Sequence, residues 1–136
     1  MYKNAEELLA ICSEQNKRIW EVALDNEVKL TGMSRERVMQ HFYNRLEIMF
    51  NSALKALEAK QATKGSLIDG VANCQYEYSK GESITGGYIN YVMSLAYSCS
   101  EVNASMGKIC ASPTAGSCGI VPAVLLGVME NKKVSR

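Results

Sequence analysis

No stretch of this 136-residue chain alternates apolar and polar residues convincingly, so no β-strand is expected and the chain reads as all-α. Charge of one sign is also missing: 15 Lys and Arg against 14 Asp and Glu leave a net charge of +1. There is no basic patch interleaved with aromatics, which excludes the usual footprint of a nucleic-acid binder. Lys132, Lys133 and Arg136 read as a solvated tail. No apolar run approaches the length of a bilayer span. The opening Met1-Tyr-Lys-Asn-Ala-Glu-Glu is acidic and amphipathic rather than basic then apolar, so neither a signal peptide nor a membrane partner is expected. Histidine occurs once, as His41 beside Phe42, and reads as a boundary residue, not a catalytic base. Neither a phosphate-loop Gly-Lys-Ser/Thr spacing nor a Gly-x-Gly-x-x-Gly fingerprint is present. Glu77, Glu82 and Glu101 show no spacing that marks an acid–base pair.

The chain does contain helix signals, and its length suits a single domain with one core. Asn4 followed by Glu7 predicts a capping box opening a first helix. The apolar spacing of Leu8, Ile11, Cys12, Ile19, Val22 and Ala23 carries that helix to about Leu30, before the Thr31-Gly32 break. Ser34 is the expected cap of a second helix. Val38, Phe42, Leu46, Met49, Ala53 and Leu57, spaced by threes and fours, form its stripe. A shorter helix is predicted from Leu67 to Ser79. The next, capped by Thr85, reaches roughly Met106 with Ile89, Val92, Met93 and Ala96 toward the core. A last helix starts at Ile120, with Pro122 in its first turn, where a missing N–H costs little. The expectation is thus about five helices. Tyr76, Tyr78, Tyr88, Tyr91 and Tyr97 read as amphipathic core filling.

Between the last two helices lies Asn103-Ala-Ser-Met-Gly-Lys-Ile-Cys-Ala-Ser-Pro-Thr-Ala-Gly-Ser-Cys-Gly-Ile-Val-Pro122. A plain connector needs only a few residues. This one is rich in small and hydroxyl-bearing residues that let backbone N–H groups crowd around a small anion. The following helix would aim its positive end at the same point. The loop therefore reads as a carboxylate or phosphate pocket. Cys110 and Cys118 flank it without matching a metal spacing, so they read as buried free thiols, with no metal site in the chain. Cys12 and Cys99 read as core. Five cysteines, an odd number without a secretion signal, predict reduced thiols in a cytoplasmic setting.

The run Ser100-Glu-Val-Asn-Ala-Ser-Met-Gly-Lys-Ile-Cys-Ala-Ser-Pro-Thr-Ala-Gly-Ser-Cys-Gly-Ile-Val-Pro-Ala-Val-Leu closely resembles the α chain of the two-subunit iron–sulfur L-serine dehydratases. The opening Met1-Tyr-Lys-Asn-Ala-Glu-Glu-Leu is similar to the start of such an α chain. The resemblance implies dehydration and deamination of L-serine to pyruvate and ammonia, with an iron of a [4Fe–4S] cluster as Lewis acid. It implies serine binding by Thr114, Gly116 and Ser117, with Asn103 as an orienter, and it names no catalytic base. The family's α chain is roughly twice as long as this one. The resemblance implies that its cluster ligands lie in a C-terminal part absent here, and that Cys118 is not among them. The chain is expected to be the N-terminal portion, inactive alone. Its expected partners are an amino-acid substrate, the missing C-terminal part and a β chain, and homo-oligomers are an expected form. Lys64-Gly65-Ser66-Leu67-Ile68-Asp69-Gly70 departs from the family's glycine-rich segment. That departure keeps two rivals open: a lyase for another small β-substituted amino acid such as cysteine, and a non-catalytic helical module.

Overall fold

The computed structural model describes residues 2–134, and the described residues form six α-helices and no strand. The helices are α1 (Ala5–Gln15), α2 (Ile19–Thr31), α3 (Arg35–Glu58), α4 (Val71–Ser79), α5 (Gly87–Ala104) and α6 (Ile120–Lys132), with a short 3-10 helix at Ala115–Ser117. The all-α expectation holds. Two compact units meet between Asn44 and Arg45, inside α3.

In the first unit the Asn4 side chain caps α1, accepting the Glu7 amide at 2.8 Å. The Glu7 carboxylate reaches back one residue further than a capping box requires, to the Lys3 amide at 2.7 Å. The long first helix expected from periodicity is two helices. Asn16 adopts the left-handed conformation (φ 50°), and the Lys17 amide closes onto the Cys12 carbonyl at 3.0 Å. Asn tolerates that conformation because its short polar side chain bonds locally. The apolar spacing runs through the break, so periodicity alone misses it. α2 then begins with the Arg18 amide bonded to the Glu21 carboxylate at 2.8 Å, and it ends where expected, at Gly32 with φ 66°. Asp25 ties this unit together with ion pairs of 2.7 Å to both Lys17 and Arg35. The hydrogen bond from Lys17 is the main force holding its carboxyl below the ordinary carboxylate range.

The second unit carries the larger core. Phe50, Ala53, Ala56 and Leu57 of α3 pack with Ala72 of α4, Leu95, Cys99 and Val102 of α5, and Ala123 and Leu126 of α6. Each large aliphatic side chain buried in this way stabilises the fold by about 1.5–3 kcal/mol. Small polar residues let α5 approach α3 closely. The Ser98 hydroxyl donates to the Ser52 carbonyl at 2.7 Å and accepts the Ala56 amide at 2.9 Å. The α3 stripe is real, with Val38, Ala53 and Leu57 buried, but Phe42 is 56% exposed.

Three further expectations are corrected here. α4 starts at Val71, not Leu67, because residues 59–70 are drawn into an irregular segment anchored by side chains. α5 starts after Gly86, whose φ of 80° suits glycine, so Thr85 is not its cap. The Thr85 hydroxyl instead accepts from Asn90 Nδ2 at 2.9 Å. The core face of α5 is also only partly the expected one: Val92 and Ala96 pack against the core. Ile89 and Met93 are exposed, whereas Asn90, Ser94, Ser98 and Glu101 are buried. The polar members of that face are satisfied by hydrogen bonds, which hydropathy does not register.

Candidate functional site

The site is built at the C-terminal end of α5. That helix closes with a double turn: the Gly107 amide bonds to the Val102 carbonyl at 2.8 Å and the Met106 amide to the Asn103 carbonyl at 3.0 Å. Met106 takes the left-handed conformation (φ 63°), as the reversal requires. A Cβ on Gly107 would stand 2.6 Å from Val102 Cγ1, so only glycine lets the chain fold back this tightly.

The chain then runs to Thr114, which is extended, and turns through Ala115–Ser117. The Thr114 and Ser117 hydroxyls lie 3.0 Å apart. Ser117 Oγ donates toward the Ser112 carbonyl at 3.2 Å and accepts the Thr114 amide at 3.3 Å. The Ser117 amide returns to the Thr114 carbonyl at 3.3 Å. Among the described residues the amides of Ala115 and Gly116 donate to no protein acceptor. Thr114 and Gly116 are exposed and Ser117 is half-buried. Cys118 follows, buried, with burial pushing its thiol pKa up. Gly119 seats the start of α6 against α5, since a Cβ there would meet the Ala96 carbonyl oxygen at 2.6 Å.

Three of the four expected binding residues, Thr114, Gly116 and Ser117, thus share one turn. Asn103 does not sit on that turn. It lies exposed on the last turn of α5, and no hydrogen bond joins it to those three among the described residues.

Sequence reasoning passed over the residue that organises this end of the molecule. Glu101 has no exposed surface, and its carboxylate accepts three backbone N–H groups: Gln61 at 2.7 Å, Gly70 at 3.0 Å and Ala72 at 3.1 Å. Hydrogen bonds to a charged acceptor contribute about 1.5–3 kcal/mol each, which offsets the desolvation of a buried carboxylate. The segment it holds is reinforced from within and from α5. Asp69 Oδ1 accepts both the amide and the hydroxyl of Thr63, and the Lys64 amide bonds to the Ala104 carbonyl at 2.9 Å. The Thr63 hydroxyl, then its amide, hold the Asp69 carboxyl below its ordinary range. A signal for Glu101 was present, because it falls at helical spacing from Ser94 and Ser98. All three lie on the face that α5 buries.

No group of three or more His, Cys, Asp or Glu side chains among the described residues is placed to hold a metal ion. Cys74 is exposed and Cys12 and Cys110 are half-buried, whereas Cys99 and Cys118 lie in one core. Burial pushes the Cys99 thiol up to about 11, with Cys118 near enough to help raise it and with Ser52 Oγ 3.4 Å from Cys99 Sγ. Among the described residues no helix is long and apolar enough to cross a membrane.

Comparison with known proteins gives a consistent result. The family model for the serine dehydratase alpha chain matches residues 14–136. The L-serine dehydratase, alpha chain, of Peptoniphilus asaccharolyticus is 39% identical over all of this chain and 47% of that protein. The probable L-serine dehydratase, alpha chain, of Bacillus subtilis (strain 168) is 34% identical over all of this chain and 45% of that protein. L-serine dehydratase 1 of Escherichia coli (strain K12) is 28% identical over 91% of this chain and 28% of its own length. The chain therefore spans about half the length of the alpha chains it matches. No solved structure matches it.

Proposed function

Because the chain belongs to the serine dehydratase alpha-chain family, we propose that it is the N-terminal, substrate-binding portion of a lyase that converts L-serine to pyruvate and ammonia. The observation that carries this reading is the turn at Thr114–Ser117. Two hydroxyls lie 3.0 Å apart there, next to the open amides of Ala115 and Gly116. Open amides at the start of a helical turn, with a hydroxyl on either side, make a receptor for a carboxylate. In this reading the Gly116 amide and the Thr114 and Ser117 hydroxyls hold the serine carboxylate. Asn103 orients the substrate from α5, and Glu101 holds residues 61–72 against that helix without touching the substrate.

The family's [4Fe–4S] cluster does not fit the described residues, which bring together no group of three or more His, Cys, Asp or Glu side chains able to hold a metal. Its ligands belong to the rest of the α chain. The β chain and that remaining part are the proposed partners, in a cytoplasmic enzyme. The catalytic base is assigned to no residue here.

Titration of the 15N-labelled chain with L-serine tests the reading. The amide signals of Ala115 and Gly116 should shift most, and Thr114→Ala with Ser117→Ala should weaken binding by about tenfold or more. Unmoved signals over residues 112–119, or equal binding by the double variant, would remove the assignment. In parallel, the chain treated anaerobically with iron and sulfide should release no pyruvate from serine. Sustained turnover would overturn the view that it is catalytically incomplete.

A further inference from the structure

α6 is apolar almost all round, and from Ile120 to Val128 it carries no charged residue. A helix of that kind is normally buried on every side. Here only one side is covered: Pro122, Ala123, Leu126 and Gly127 are buried. Ile120 is 60%, Val124 51% and Val128 47% exposed, and these three form a single i, i+4 row.

α5 continues the same face. The two helices pack antiparallel at close range, because a Cβ on Gly119 would strike Ala96 and one on Gly127 would strike Val92 Cγ2, each at 2.6 Å. Beyond that seam α5 exposes its own i, i+4 row of Ile89, Met93 and Tyr97. Both helices contribute to one core on one side of the seam. Their antiparallel run therefore puts both bare rows on the opposite side. The result is a two-helix apolar face with no charge between Ile89 and Tyr97 or between Ile120 and Val128. Contiguous exposed apolar surface of this sort marks a site of association.

We infer that this face is the seat of the polypeptide that alpha-chain relatives carry beyond the region matched here. Three observations select that occupant. The chain corresponds to 47% and 45% of two full alpha chains, so those proteins hold a second half of similar size. The opening of this chain resembles the start of an alpha chain and the family match runs to residue 136, so in that placement the relatives' next residues depart from the end of α6, the helix with the bare side. A face without charge suits continuous apolar packing of the kind found inside one protein better than a wet, polar-rimmed encounter surface. The inference rests on family membership and is independent of the serine-binding assignment, since its test contains no serine.

The test compares one substitution in two contexts. Val124→Asp is made in the 136-residue chain and in the same chain extended at Arg136 by the second half of the Peptoniphilus asaccharolyticus alpha chain. In the shorter chain the aspartate meets water, and Tm should stay within about 2 °C of the parent. In the extended protein it is buried, and Tm should fall by at least about 5 °C. Leu67→Asp, at a side chain 90% exposed and outside this face, should change neither protein. If Val124→Asp prevents the extended protein from folding, Val128→Ser reads the same contrast at smaller amplitude. Equal, small shifts in both contexts would overturn the inference. So would a dimer of the shorter chain, seen by light scattering and abolished by Val124→Asp, in combination with an insensitive extended protein, because the occupant would then be a second copy.

Discussion

Two irregular segments meet α5 at its C-terminal end, and they are built on opposite plans. Residues 61–70 direct their polar backbone inward. The amides of Gln61 and Gly70 end on the buried Glu101 carboxylate, the Thr63 amide on Asp69, and the Lys64 amide on the Ala104 carbonyl. Residues 105–119 are fastened by the Gly107 reversal, by Ile109 and Cys118 packed into the core, and by the Gly119 contact with Ala96. The Thr114–Ser117 turn among them is bonded to itself and leaves the Ala115 and Gly116 amides free. The first segment is thus held by buried acceptors, whereas the second keeps donors to spare at its turn, which is what the proposed serine-binding role requires. Composition does not distinguish them, since both contain glycine, serine and threonine. What distinguishes them is where the N–H groups end.

Removing the anchor of the first segment should have the largest effect. Glu101→Ala strands two buried N–H groups and a half-buried one and should cost about 3–5 kcal/mol of stability, read as a fall in the denaturant midpoint. Glu101→Gln keeps the shape but turns an N–H toward the Ala72 amide, and should cost about half as much. A neutral result for Glu101→Ala would erase the distinction between the segments.

Gly119→Ala attacks the far end of residues 105–119. The added methyl meets a backbone oxygen, which cannot swing away, so the seam between α5 and α6 must open. The expected cost is about 1–3 kcal/mol, with loss of the serine-induced shifts at Gly116. If stability falls while those shifts survive, the loop does not depend on the seam.

Asp69 supplies the smallest effect and a pH signature. Its carboxyl titrates below its ordinary value because Thr63 bonds to the charged form. The stability it contributes is therefore present above the unfolded-state pKa, about 4, and is lost as pH falls through the lower folded value. Asp69→Asn should flatten that part of the acid limb and leave neutral-pH serine binding unchanged. An unchanged acid limb would show that the Thr63–Asp69 bond does not couple to folding.

Much of this architecture was legible in the residues. The Asn4 cap, the Gly32 stop, the α3 stripe and the start of α6 rest on local chemistry, which neighbours along the chain suffice to specify. The grouping of Thr114, Gly116 and Ser117 was legible for the same reason, since they share one turn. The break at Asn16 escaped because apolar spacing continues through it. Part of the buried face of α5 escaped because, beside Leu95, Cys99 and Val102, it carries serines, an asparagine and a glutamate, which hydropathy assigns to water. A residue's polarity reports its cost in isolation, and a partner 29 to 40 positions away reverses that cost.

By itself, then, the sequence determined the helical class, most helix ends, the family and the composition of the Thr114–Ser117 turn, all of which are set by short-range sterics, hydrogen bonding and motif. Tertiary structure alone decided that Glu101 would be an internal clamp, that Gly107 and Gly119 would be contact points, and that one side of α5 and α6 would be left bare. Those outcomes depend on which distant backbone groups are brought within bonding or contact distance, and only the folded chain specifies that.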